Sequence, residues 1–309
     1  MRLTVLLPAA AILALAASGC AAFSEDGASN EDGVTVAAAF YPLAFAAERV
    51  AGDHADVELL TQPGTEPHDL ELNVGETAEI AAADLVLFED DFQPAVDDAV
   101  EQNAGGVALD AADVVDLVAV DESDEEHAEH EGEEHEHGDT DPHFWQDPLR
   151  VADLGDAVAE ELAGIDPDNA DSYRANAADL RRDLEVLDEQ FVTGLDDCER
   201  STIVVSHDAF GYLEKYGVDI APLVGLSPDA EPTAAVLGEL QELIDEEGIT
   251  TVFSEPLEPD LVDGLASDLD LATASLDPVE GLADGGSDED YLSLMRANLD
   301  AIQAANGCR

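Results

Sequence analysis

A chain of 309 residues, 46% of them hydrophobic, can bury a sizeable core and holds about two domains as a soft prior. Its 74 acidic against 10 basic residues give a net charge of −64, which excludes nucleic acid as a partner because a polyanion is repelled almost everywhere. Charge of that size opposes compaction unless salt screens it, so the composition predicts a high-salt setting, while regular apolar periodicity argues against wholesale disorder.

The first residues read as a targeting segment. Arg2 is followed by an apolar core, Leu3 to Ala17, too short to span a bilayer as a stable helix. The segment closes on Ala17-Ser18-Gly19-Cys20, similar to a bacterial lipoprotein box in which the cysteine is lipidated and becomes the mature N-terminus. An ordinary cleaved signal with an incidental cysteine is the alternative. Residues 21–33 read as a flexible tether. No later stretch has the length and apolarity of a membrane-crossing helix, so a lipid-anchored body outside the membrane is expected. Two cysteines remain, Cys198 and Cys308; in an oxidising compartment an even pair is a disulfide candidate, against the alternative of two free buried thiols.

From residue 34 strands and helices alternate. Val34 to Ala38 reads as a strand, and Pro42 opens a helix closed by Gly52. Strands at Val57 to Leu60, Asp84 to Phe88 and Val107 to Leu109 alternate with helices at Glu76 to Ala83 and Pro94 to Asn103. That order predicts a parallel α/β lobe over 34–165. A helix over Leu149 to Ala163 leads to Asp166-Pro167, which reads as an N-cap and first helical residue. Tyr173, Ala177, Leu180, Leu184, Leu187 and Phe191 then recur at spacings of 4, 3, 4, 3 and 4, one apolar stripe on a long helix over 166–193. Such a helix can act as a stiff spine between lobes, or it can be a plain core helix. A second α/β series fills 194–309: strands at Ser201 to Ser206, Val218 to Ala221, Ile249 to Phe253 and Leu271 to Leu276, with helices at Phe210 to Tyr216, from Pro232, at Glu258 to Leu269 and at Asp288 to Ala305. Two such lobes predict a cleft with ligands at the carboxyl ends of the strands.

Asp121 to Pro148 holds a low-complexity acidic run with His127, His130, His135 and His137, which passes directly into Asp141-Pro142-His143-Phe144-Trp145. Imidazole is the commonest protein ligand for zinc and copper. A histidine-loaded acidic segment beside a rigid histidine points to a transition-metal cargo, the segment raising local zinc concentration by loose binding; a solvated charge run without metal is the alternative. His54 reads as plain surface. His68, His143 and His207 each sit just past a strand or in a Pro/Gly-rich turn, and three such positions favour a shared metal site. Asp277, just past a strand in Leu276-Asp277-Pro278, adds a possible carboxylate, although aspartate before proline is first a turn residue. Three imidazoles and a carboxylate would suit tetrahedral Zn²⁺.

Five segments in order carry a wider match: Pro63-Gly64-x-x-Pro67-His68; the acidic histidine insert followed by Asp141 to Pro148; Ser206 to Tyr212; Phe253 to Pro256; and Leu276 to Pro278. From about Val34 onward the chain resembles the zinc/manganese-type solute-binding proteins of bacterial ABC importers. The resemblance implies two (β/α) lobes with mainly parallel sheets, joined by a long rigid helix, with the metal in the interlobe cleft. It implies His68 and His143 as ligands from the first lobe, His207 and Asp277 from the second. A histidine at 207, where manganese-type members tend to carry glutamate, points to the zinc branch. Leu70 departs from the pattern, which would place an aromatic there.

The function expected is therefore capture of Zn²⁺ outside the membrane and delivery to an importer's permease and its cytoplasmic ATPase, by a monomer with no enzymatic role and modest lobe motion. A manganese-binding member of the same family is the nearest alternative. A zinc hydrolase is more distant: His-Glu-x-x-His is absent, His130-Glu131 being followed by His135 one residue too late. A surface metal buffer or adhesin without a transporter partner is the remaining rival.

Overall fold

The computed structural model describes residues 33–120, 140–283 and 289–309. Cys20, the signal and most of the tether, and the loop histidines His127, His130, His135 and His137 lie outside them. In chain order the first series is β1 (Val34–Ala38), α1 (Tyr41–Ala51), β2 (Ala55–Leu59), α2 (Val74–Ala82), β3 (Leu85–Phe88), α3 (Pro94–Asn103) and β4 (Val107–Asp110). Its strands pair all-parallel in the order β2-β1-β3-β4. Two short strands, β5 (Val118–Ala119) and β6 (Thr140–Asp141), pair antiparallel and bring residues 119 and 140 together. They were not legible in the sequence, because two-residue strands carry no periodicity.

Helices α4 (Pro148–Ile165) and α5 (Ala170–Leu195) follow, then β7 (Thr202–Val205), β8 (Asp219–Pro222), α6 (Ala234–Glu247), β9 (Thr251–Ser254), α7 (Asp263–Leu269), β10 (Ala272–Ser275) and α8 (Tyr291–Asn306). The second sheet is also all-parallel, ordered β10-β9-β7-β8. The two parallel α/β lobes are those expected. Among the described residues no helix is long and apolar enough to cross a membrane.

The 26-residue α5 extends about 39 Å at 1.5 Å per residue. Its stripe, Tyr173, Ala177, Leu180, Leu184, Leu187 and Phe191, is wholly buried, as the spacing predicted. It packs against α1 and α4 and against α8. Leu180 approaches α4 so closely that a Cβ at Gly155 would lie 2.9 Å from its Cδ2. Asp166 is not the N-cap of α5. Helix α4 continues to Ile165, and the Asp166 carboxylate instead accepts from Asn169 Nδ2 (2.7 Å) and Tyr173 Oη (3.0 Å), bracing the turn between the helices.

Other boundaries moved for local reasons. Asn73 caps α2, accepting from Gly75 and Glu76 N–H while Glu76 accepts from Asn73 N–H, so the helix starts at Val74 rather than Glu76. Residues 255–262 turn before α7 begins, and α8 starts at Tyr291 behind a capping box of Asp290 and Ser293.

Cys198 and Cys308 are disulfide-bonded across 110 residues. Glu199 and Arg200 N–H both donate to Asn306 O, and Arg309 N–H donates to Asp197 O, so backbone bonds stitch the same junction. A Cys198→Ser/Cys308→Ser chain should therefore still fold but lose about 2–5 kcal/mol, most of it through the freed denatured state. Urea unfolding of both chains, with and without reductant, checks this; reductant should move only the wild type.

Candidate metal centre

Each histidine is delivered by a loop at the carboxyl end of a strand. His68 follows β2 in a loop pinned by Gln93, whose Nε2 donates to Pro67 O (2.8 Å) and Thr61 Oγ1 (3.1 Å). His143 follows β6 and opens the 3-10 turn Phe144–Gln146. His207 follows β7. His143 and His207 are completely buried, and Phe92 packs edge-on to His68 with centroids 4.6 Å apart.

The three Nε2 atoms converge on one carboxylate, that of Glu280. His207 Nε2 lies 3.2 Å and His143 Nε2 3.4 Å from Glu280 Oε1, and His68 Nε2 lies 3.5 Å from Oε2. A tetrahedron built on bonds of about 2.0–2.1 Å has edges of roughly 3.3 Å. The group thus has the dimensions of one zinc coordination shell. His68 Nε2 and His143 Nε2 are buried without a hydrogen-bond partner, the polar atoms a shared ion would satisfy.

The other ring nitrogens are held from behind. Asp141 Oδ1 takes His143 Nδ1 at 2.8 Å and His143 N–H at 2.9 Å. Glu255 Oε1 takes His207 Nδ1 at 2.6 Å, and Ser206 Oγ donates to the same oxygen. A carboxylate on Nδ1 fixes the tautomer that leaves Nε2 free to ligate and makes it a better donor. Both residues stood inside sequence motifs, yet nothing local showed that they face a ring nitrogen.

Asp277 is not brought to the histidines. Its Oδ1 accepts Val279 N–H (2.8 Å), an Asx turn, and its backbone is paired with Asn298 (2.9 and 2.6 Å). Val279 then turns at φ 61°, a left-handed conformation costing a β-branched residue about 1–3 kcal/mol, and Glu280 swings into the cluster. Among the described residues the group that can share one ion is His68, His143, His207 and Glu280. The carboxylate expected at 277 is thus replaced by one three residues later in the same loop. His54 is exposed, remote from the group and edge-on to Tyr173. Leu70, in place of the expected aromatic, is buried in the core around Phe92.

Burial alone would depress the imidazoles, and for His68 it does. For His143 burial is overcome by Asp141 and Glu280, raising it to about 9; Glu255 and Glu280 likewise raise His207. Burial would raise Glu280, but the three histidines hold it well below the usual carboxylate range. The carboxylates around the cluster thus favour protons on His143 and His207, and a dication bound there would compete with them.

The profile of the family described as "Zinc-uptake complex component A periplasmic" matches residues 36–305. This chain belongs to that family. A zinc-uptake component A relative, the high-affinity zinc uptake system protein ZnuA of Bacillus subtilis, is 33% identical, the match covering 96% of this chain and 94% of that one. The zinc-binding lipoprotein AdcA of Streptococcus pneumoniae is 34% identical over 94% of this chain, which spans 60% of that relative's length. The crystal structure of Zn(II)-bound AdcA from Streptococcus pneumoniae superposes with a TM-score of 0.73 at 30% identity, covering 89% of this chain and 58% of that one.

Proposed function

We propose that this protein captures Zn²⁺ on the outer side of the membrane and delivers it to the permease of an ABC importer. The observation that carries the reading is the convergence of three Nε2 atoms on Glu280 at the edge lengths of a zinc tetrahedron. The donor set favours zinc over manganese, which prefers oxygen-rich, octahedral sites. With Glu280 as fourth donor the set is closed, lacking the open position a catalytic zinc keeps for water. Membership of the zinc-uptake component A family supports transport rather than storage. Lipidation at Cys20, a tether over 21–33, and lobes over 34–165 and 194–309 joined by a linking helix over 166–193 complete the proposal.

Metal analysis of protein purified without chelator should find one zinc per chain, and His207→Glu should shift the preference toward manganese. Absence of a stoichiometric site would overturn the reading.

Affinity should also depend steeply on pH. His143 is raised to about 9 and His207 is raised as well, so protons compete with zinc for these imidazoles. Calorimetry in buffers of different ionisation enthalpy should report net proton release at pH 7, and affinity rising with pH until about 9. Binding without proton release would contradict that competition.

A further inference from the structure

The 3-10 turn that follows His143 also reaches across to the loop bearing Glu280. Trp145 Nε1–H donates to Pro278 O at 2.7 Å, and Gln146 Nε2–H donates to the same oxygen at 2.5 Å. Both side chains are completely buried. Two donors use both lone pairs of that carbonyl, so its orientation is fixed on two axes. Pro278 lies two residues before Glu280, and the residue between them, Val279, holds the left-handed turn that aims Glu280. Tyr41 N–H, from the first lobe, donates to Glu280 O (3.2 Å), and Tyr291 Oη donates to Trp145 O (2.5 Å), closing the circuit. One short turn thus supplies a donor histidine and fixes the loop that supplies the carboxylate.

Gln146 is the telling residue. Its Oε1 has no partner in the interior, a state an apolar side chain of the same size would avoid. The bond its amide makes is to Pro278 O.

Resting on the zinc reading above, we propose that Gln146, with Trp145, is a positioning residue that sets the Glu280 carboxylate against the three histidines and thereby slows metal release.

The test is a double-mutant cycle on the full chain with Zn²⁺ alone as probe. Gln146→Leu removes the donor together with the orphaned acceptor. Dissociation into excess chelator, followed by stopped flow, should become about 10–100-fold faster, as for other outer-shell losses at metal sites, while the urea midpoint of the metal-free protein is unchanged or higher. On a Glu280→Gln background the same substitution should change the rate by less than about twofold, because its effect passes through that carboxylate. Trp145→Phe, which keeps the ring and removes the N–H, gives the same cycle should Gln146→Leu fail to fold. Equal fold-changes on both backgrounds, or an unchanged rate in the single variants, would overturn the positioning role while leaving the zinc reading intact. A wild type that binds no Zn²⁺ would overturn both.

Discussion

Glu280→Ala should weaken zinc binding by about 100-fold or more, whereas Asp277→Asn should stay within about threefold of wild type. A zinc site worth about 10–16 kcal/mol over four ligands assigns roughly 3 kcal/mol to each, which is about two decades in affinity. Asp277 acts only on its own loop, through Oδ1 on Val279 N–H, and an asparagine oxygen accepts that bond equally well. The deficit of Glu280→Ala should also vary with pH. Glu280 helps hold His143 and His207 protonated, so removing it relieves proton competition. The loss should therefore be larger at pH 9 than at pH 6. Competition against a chelating dye across that range measures it. Comparable losses for the two variants would return the fourth position to Asp277.

The metal-free chain should unfold on dialysis from about 2 M to about 10 mM salt and refold on return. Between those limits the Debye length grows from under 3 Å to about 30 Å, so repulsion confined to contacts comes to span the whole molecule. The imbalance is also uneven. No Lys or Arg occurs between residues 51 and 149 or between 216 and 295. Cations are concentrated around the spine, where Arg49 pairs with Asp183 (2.6 Å), Arg174 with Glu160 (2.7 Å), and Arg181 with Asp153 (2.7 Å) and Asp156 (2.6 Å). Each such surface pair contributes at most about 1 kcal/mol, but together they leave α4 and α5 less self-repelling than the lobes. Amide exchange should accordingly persist longest in α4 and α5 as salt is withdrawn. Saturating zinc should lower the salt midpoint, since ligand at 1,000 times Kd contributes about 4 kcal/mol.

Acid should substitute for salt in part. Asp97 is pushed up to about 7 by burial and then by Asp90. Its folded pKa exceeds its unfolded one, so its contribution is present below the ordinary carboxylate range and is lost as pH rises through about 7. Unchanged circular dichroism between 2 M and 10 mM salt at pH 8 would refute the screening requirement.

What the sequence determined by itself was whatever is written in short-range pattern. Alternating apolar runs and turns specified the two parallel lobes, the spacing on α5 specified a buried stripe, and motif context placed His68, His143 and His207 at strand ends. Each of those signals is local, because backbone propensity and periodicity act over a few residues. The tertiary structure alone decided which carboxylate completes the cluster. Asp277 and Glu280 share one loop, and the choice turns on the left-handed twist at Val279 and on a carbonyl held by side chains 133 and 132 residues away. The carboxylate behind His207, the pairing of β5 with β6 and the end of α4 at Asp166 escaped for the same reason. They are settled by contacts between elements distant in the chain or by competition among neighbouring turns, and neither leaves a periodic trace.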